Sequence, residues 1–263
     1  MRFKSRGRRF HCGLVLVAGA AAIGWFMPAA AAASTPPGFP PFARDEFSPA
    51  GLGPREPELQ IDYPGGATTR SIAKGSAVVS VLVDADGKAL DFLVMGYTDK
   101  AFGSALLARA EHLTYQAAKL KGTPVPARFN LGYSFESQRV AMTPMEASLQ
   151  KGDGLHAPGL AYSAVVEGKL DRPLDFLKVA LPPLPADFKP VDDKPVKVYV
   201  TFYIDEEGRV RVPTVESAAS AKLIPGAIAA VREWAFKPPT AGGKPALVFT
   251  GRPVRFIPRD AAK

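Results

Sequence analysis

Catalysis needs proton carriers, metal ligands or nucleophiles at workable spacing, and this chain of 263 residues has few of them. Its three histidines are His11, His112 and His156. None has a second histidine, a cysteine or a carboxylate at metal-ligand spacing. His112 sits near an expected helix end and reads as a surface or cap residue. Asp84-Ala85-Asp86-Gly87 begins as a calcium loop would, but such a loop needs a closing glutamate about six residues after its glycine. Lys88-Ala89-Leu90-Asp91-Phe92-Leu93 follows instead, so a hairpin turn is the better reading. There is no G-x-S-x-G elbow, no Walker loop and no G-x-G-x-x-G. Ser104 follows Gly103 without the elbow's second glycine. The acidic residues are scattered over turns and form no catalytic pair, and Arg139, Arg172, Arg211 and Arg252 read as solvated. The expectation is a protein that is not an enzyme, with no cofactor, no metal and no small-molecule substrate.

Composition is consistent with a folded binding or structural protein. Hydrophobic residues make up 47% and charged residues 22%, so a packed core can form. Proline (26) and glycine (24) are frequent, which predicts short elements joined by many turns. The net charge is +8, but Arg2, Lys4, Arg6, Arg8 and Arg9 lie in the first 33 residues, where there is no acidic residue. Without those five the net charge is +3 and no basic run remains. A nucleic-acid partner needs a concentrated basic footprint, so none is expected.

The basic start, Met1–Arg9, precedes an apolar run, Cys12–Met27, then Pro28 and the small residues Ala29–Ala33. These are the parts of a secretory signal peptide, expected at residues 1–33 with cleavage after Ala33. The alternative is an uncleaved anchor in the inner membrane, although the run is shorter than the ~20 residues of a spanning helix. Cys12 is the only cysteine and lies before the run, where a lipid-anchored cysteine would follow it. The mature chain is therefore expected to lack any internal disulfide and to depend on packing alone.

Laid on itself at an offset of 121, the chain repeats. Val83-Asp84-Ala85-Asp86-Gly87-Lys88 falls on Ile204-Asp205-Glu206-Glu207-Gly208-Arg209, Tyr63-Pro64 on Leu184-Pro185, and Gly122-Thr123-Pro124 on Gly243-Lys244-Pro245. Each copy alternates at period two, with Val79, Val81 and Val83 in one and Val198, Val200, Phe202 and Ile204 in the other. That is the pattern of a strand with one buried face. An acidic-glycine turn leads to a second strand, about Ala89–Met95 and Val210–Val215. Phe102, Leu106, Arg109/Ala110 and Leu113, and likewise Ile224, Ile228, Val231 and Trp234, make a helical stripe that faces a sheet. A last strand follows, about Pro126–Phe135 and Leu247–Phe256. The fold class expected is α+β: two tandem units, each a three-stranded antiparallel sheet with one packed helix. The other face of the second copy's first strand carries Tyr199, Thr201 and Tyr203. It is either a partly wet aromatic face or one packed on the first copy or a partner.

The expected organisation is a Pro-rich leader at 34–56, a first unit at 57–136, a connector at 137–177 and a second unit at 178–258. The connector is long for a loop, so part of it should pack on a unit or form a short element.

Each copy resembles the C-terminal domain of the TonB family. The resemblance lies in an upstream Tyr-Pro or Leu-Pro, then V-x-V-x-V-D-x-D-G-K, a helix ending in W-x-F-K-P, a G-K-P turn and a closing strand. The first copy carries Asp62-Tyr63-Pro64 and Val79–Lys88. The second carries Arg232-Glu233-Trp234-Ala235-Phe236-Lys237-Pro238-Pro239 and Gly243-Lys244-Pro245. The first departs where His112-Leu113-Thr114-Tyr115-Gln116-Ala117-Ala118 replaces the Trp/Phe-Lys-Pro signature.

The resemblance implies a periplasmic protein that binds an extended segment of an envelope protein, such as an outer-membrane receptor, by adding it as a strand. It also allows a homodimer. The contact residues it implies are Tyr63, Pro64, Trp234, Phe236, Leu247, Phe249, Arg252, Val254 and Phe256. The candidate edge is Ala246–Phe256 or its counterpart Val125–Phe135, with the second copy favoured. Two alternatives stand beside this: a structural two-domain envelope protein with self-paired sheet edges, and an energy transducer for outer-membrane transport that retains its anchor.

Overall fold

A computed structural model describes residues 36–54, 59–137, 159–189 and 196–257. The expected signal segment 1–33, and His11, Arg139 and His156, lie outside the described residues.

The chain is α+β, with many strands and few helices. In chain order the first part holds β1 (Phe47–Ser48), β2 (Gly51–Leu52), α1 (Gly65–Thr69), β3 (Lys74–Val83), β4 (Ala89–Tyr97), α2 (Lys100–Ala110), β5 (Tyr115–Gln116), β6 (Ala118–Leu120), β7 (Thr123–Val125) and β8 (Ala127–Glu136). Then come β9 (Tyr162–Ser163), β10 (Val165–Val166) and β11 (Phe176–Lys178). The second part holds β12 (Lys197–Ile204), β13 (Val210–Ser217), α3 (Ile224–Arg232), β14 (Ala235–Phe236), β15 (Thr240–Ala241), β16 (Lys244–Pro245) and β17 (Val248–Arg255).

Two four-stranded sheets form, in the orders β8-β3-β4-β9 and β10-β17-β12-β13. In each, the closing strand and the second strand flank the first strand, both antiparallel to it. The pairing register repeats as well. Val79 faces Leu131 and Val94, while Val200, at the equivalent position, faces Arg252 and Val215.

The period-two apolar positions face the helices. Phe102, Leu106 and Ala110 of α2 are fully buried, as are Val79, Val81 and Val83. Asp99 caps α2, accepting the Ala101 N–H at 2.8 Å. In the second part Ile224, Ile228 and Val231 of α3 are buried with Val200, Phe202 and Ile204.

Both hairpin turns are closed by their own aspartates. Asp84 Oδ1 accepts the N–H groups of Asp86 and Lys88, and Asp205 Oδ1 those of Glu207 and Arg209. These carboxylates serve the turn backbone. Gly208 has a φ of 85°, and a Cβ there would lie 2.1 Å from the Phe236 carbonyl oxygen.

The segments around the units build more than the sequence pattern predicts. In the leader, β1 pairs with β6 and β2 with β5. The connector forms β9 beside β4, β10 beside β17 and β11 beside β14. The units also pack on each other, with β13 lying across β8, β3 and β4. Tyr199, Thr201 and Tyr203 are buried, so that face is packed and dry.

Gly208→Ala is expected to lower stability by more than the about 1–3 kcal/mol of backbone strain alone, because the methyl meets backbone oxygen. Gly122→Ala, at a φ of 79° with open space around it, should cost only the strain. Denaturant unfolding of the two variants checks the order; equal losses would contradict it.

Candidate strand-addition edge

The residues expected to contact a partner are scattered, and most are buried. Tyr63 is half-buried, packs edge-on against Phe102 and donates its hydroxyl to the Ile72 carbonyl. Pro64 precedes α1 as its N-cap. Trp234, Phe236, Leu247, Phe249, Val254 and Phe256 are buried in or beside the second unit. Trp234 and Phe236 are covered by the chain's own connector. Trp234 Nε1 donates to the Ala180 carbonyl at 2.7 Å, and the Phe176 ring lies 4.4 Å from that of Phe236. The structure thus brings the second unit's residues together as core and leaves Tyr63 and Pro64 on the first unit.

The two closing strands differ in what lies beside them. The outer edge of β17, the favoured candidate, is occupied at both ends. Val165 and Val166 pair in parallel with Val248 and Phe249. At the other end, Leu184 N–H donates to the Ile257 carbonyl and Ile257 N–H to the Pro182 carbonyl, both about 3 Å. Between them stands Pro253, which has no N–H to offer a new strand. Glu167 holds this cover down. It accepts Thr250 Oγ1 and an Arg252 guanidinium N–H, each at 2.7 Å. Arg252, read as solvated, is therefore a clamp.

Among the described residues the outer edge of β8 is open along most of its length. Ser137 N–H bonds inward to the Ala73 carbonyl, while Arg128 N–H points away from β3 to Thr214 Oγ1 at 3.3 Å. By strand alternation, Asn130, Gly132, Ser134 and Glu136 present their N–H and C=O groups outward. Among the described residues none of these backbone groups has a partner across that edge. Gly132, with open space around it, occupies the position that Pro253 fills in the second unit. The free edge thus belongs to the first unit, contrary to expectation, and the Gly132/Pro253 difference was visible in the repeat.

The side chains beside this edge fall on two faces. On the helix side lie Phe129, Leu131, Tyr133 and Phe135, with Phe135 stacked 4.7 Å from Phe102. The Tyr133 hydroxyl accepts Ile61 N–H at 3.4 Å, so the start of the first unit runs along that rim. The opposite face carries Asn130, Gly132 and Ser134. Asn130 and the buried Ser80 share a 2.7 Å hydrogen bond.

Among the described residues the other features are weaker candidates. A shallow cleft of about 490 Å³ is lined by Asp91, Arg209, Val210, Arg211, Arg232 and Trp234. Two of its arginines are paired within the protein: Arg209 with Asp205 and Glu207, and Arg211 with Asp91. The Asp91 partner raises the Arg211 pKa, burial opposing it. Among the described residues no three His, Cys, Asp or Glu side chains could hold a metal ion, and no helix is long and apolar enough to cross a membrane. The chain matches no protein-family model, no curated protein and no solved structure.

Glu167 gives the β17 cover a pH dependence. Hydrogen bonding from Arg252 holds its carboxyl below the usual range, burial opposing. A carboxyl depressed in the folded state adds stability above its unfolded pKa and loses it as pH falls through the folded one. Glu167→Gln should therefore have a lower Tm than the unmutated protein at pH 7, with the gap closing below about pH 4. A gap that persists unchanged to pH 2 would contradict this.

Proposed function

We propose that this chain is an exported, TonB-like protein-binding module of the cell envelope. On this reading it captures an extended segment of an envelope or outer-membrane protein as an added strand on β8. The observation that carries the reading is the edge itself. It is ten residues long, paired on one side, with Gly132 at its centre and no proline in the strand. Long open edges pair readily with foreign strands, and folded proteins ordinarily protect them by covers, bulges or prolines. Among the described residues the second unit's edge is covered and the first unit's is not. Main-chain hydrogen bonds would supply affinity. Alternate side chains of the added strand would meet the apolar rim of Phe129, Tyr133 and Ile61 on one side and the small polar face of Asn130 and Ser134 on the other. The fitting segment therefore alternates apolar with small or polar residues.

The tandem TonB-like architecture is supported by the repeated strand order, register and turns, and by the Tyr-Pro and W-x-F-K-P signatures. The basic start, apolar run and small-residue stretch of residues 1–33, read as an export signal, support a periplasmic location. The structural alternative has its own support in the covered β17 edge and the packed faces between units. The two readings part at β8. The transducer alternative needs a retained anchor, and a mature N-terminus near Ser34 eliminates it.

A photo-reactive residue at Ser134 in the full chain, expressed in a cell with an outer membrane, is expected to cross-link to one extended segment of an envelope protein. A synthetic peptide of that segment should bind the purified protein. Gly132→Pro should weaken that binding at least tenfold by removing one outward donor and disturbing the edge, and Glu167→Gln should not. Circular dichroism verifies that each variant is folded. Equal binding by Gly132→Pro, or no cross-link at Ser134, sinks strand addition on β8 and leaves the structural alternative.

A further inference from the structure

The contact between the units has a symmetry that the repeat makes readable. At the offset of 121, Asp91 falls on Val212 and Arg128 falls on Phe249. These equivalent residues touch each other. Asp91 Oδ2 accepts the Val212 N–H at 3.1 Å. The Arg128 guanidinium lies 5.4 Å from the centre of the Phe249 ring. A contact in which one position meets its own equivalent is the signature of a two-fold axis. Two positions on different strands, β4/β13 and β8/β17, show it independently.

The pairing is two-fold in geometry but not in chemistry. Arg211 binds Asp91 at 2.7 and 3.1 Å and also donates to the Phe92 carbonyl. The position equivalent to Arg211 in the first unit is Leu90, which makes no such pair. Arg128 lies 5.2 Å from the Tyr203 ring centre, and it donates to Thr201 Oγ1 and to the Val212 carbonyl. The hairpins differ to match. Each hairpin has a register shift at the equivalent positions Val78/Val79 and Tyr199/Val200, but the second shift falls between Leu82 and Val83 in the first and between Thr201 and Tyr203 in the second. There Val212 takes a φ of 39°, and its N–H and C=O serve Asp91 and Arg128.

We infer that the face of each unit opposite its helix is a two-fold pairing surface. It is closed within one chain and keyed by Asp91 and Arg128 so that the first unit fits the second and rejects a copy of itself. In a pairing of two first units, Asp91 would meet Asp91 and Arg128 would meet Arg128. Both side chains are mostly buried, 19% and 11% exposed, so like charges there would be poorly screened. With the second unit, the same two charges find a backbone amide, an arginine and two aromatic rings. The partner this surface fits is therefore the chain's own second unit, and the chain is monomeric.

The test exchanges the key across the axis in the full mature chain. Light scattering after gel filtration is expected to give the mass of one chain at every concentration. Phe249→Arg sets arginine against arginine and should lower the Tm by several degrees. Adding Arg128→Phe should recover at least half of that loss, because the pair is restored with its members exchanged. Wild-type dimers at micromolar concentration, or a double variant no more stable than Phe249→Arg, overturns the inference. If chains carrying Phe249→Arg do not fold, Asp91→Asn decides. It should lower the Tm and speed amide exchange at Val212, and no change in either overturns the inference.

Discussion

A three-stranded sheet with one helix leaves its second face in need of cover, and in this protein the cover is the other unit, seated through Arg128. That side chain leaves the start of β8 and lies over Tyr203 and Phe249. Its guanidinium reaches Thr201 and Val212, and its backbone N–H reaches Thr214. A guanidinium over aromatic faces keeps its charge while losing water, which few other cations do well. Other features depend on this seat. It buries the aromatic face of β12, it brings Asp91 to Arg211, and it closes the β8 edge at Arg128, whose N–H bonds Thr214. The second unit therefore stands as a wall at one end of that edge and leaves Asn130–Glu136 available.

The two units have diverged in which surfaces they keep. The second unit's closing strand is shielded by Val165–Val166, by Pro182–Leu184 and by Pro253. Its Trp234 and Phe236 are capped by β11. The start of the first unit runs along its own helix-side rim, but among the described residues β8 pairs with no strand other than β3. Among the described residues, one unit thus has a covered closing strand and the other an open one.

Much of this fold was legible in the sequence, and the reason is local. Period-two valines, acidic-glycine turns and the helical stripes report burial at fixed spacing, so the six long strands and the two main helices fall close to their expected positions. The two-residue strands of the leader and connector carry no such period. They form because a neighbouring edge supplies their hydrogen bonds, which a single segment does not reveal. The contact between units is equally silent in sequence. Asp91, Arg128 and Arg211 each look like ordinary surface charges, and only the packed faces pair them. The aromatic residues of the W-x-F-K-P signature read equally well as core or as contact, and the structure puts them in the core. The difference between the two edges is legible in the repeat, which sets Gly132 against Pro253, only one of which can donate a hydrogen bond.

The central claim is that the outer side of β8 is unpaired in the free protein and available to an added strand. Amide hydrogen exchange, read residue by residue in the purified protein, tests it most directly. The inward amides of Phe129, Leu131, Tyr133 and Phe135 should be strongly protected, and the outward amides of Asn130, Gly132, Ser134 and Glu136 should exchange orders of magnitude faster. Uniform protection of both sets in the free protein would mean that the edge is already paired, and the account of strand capture would fail.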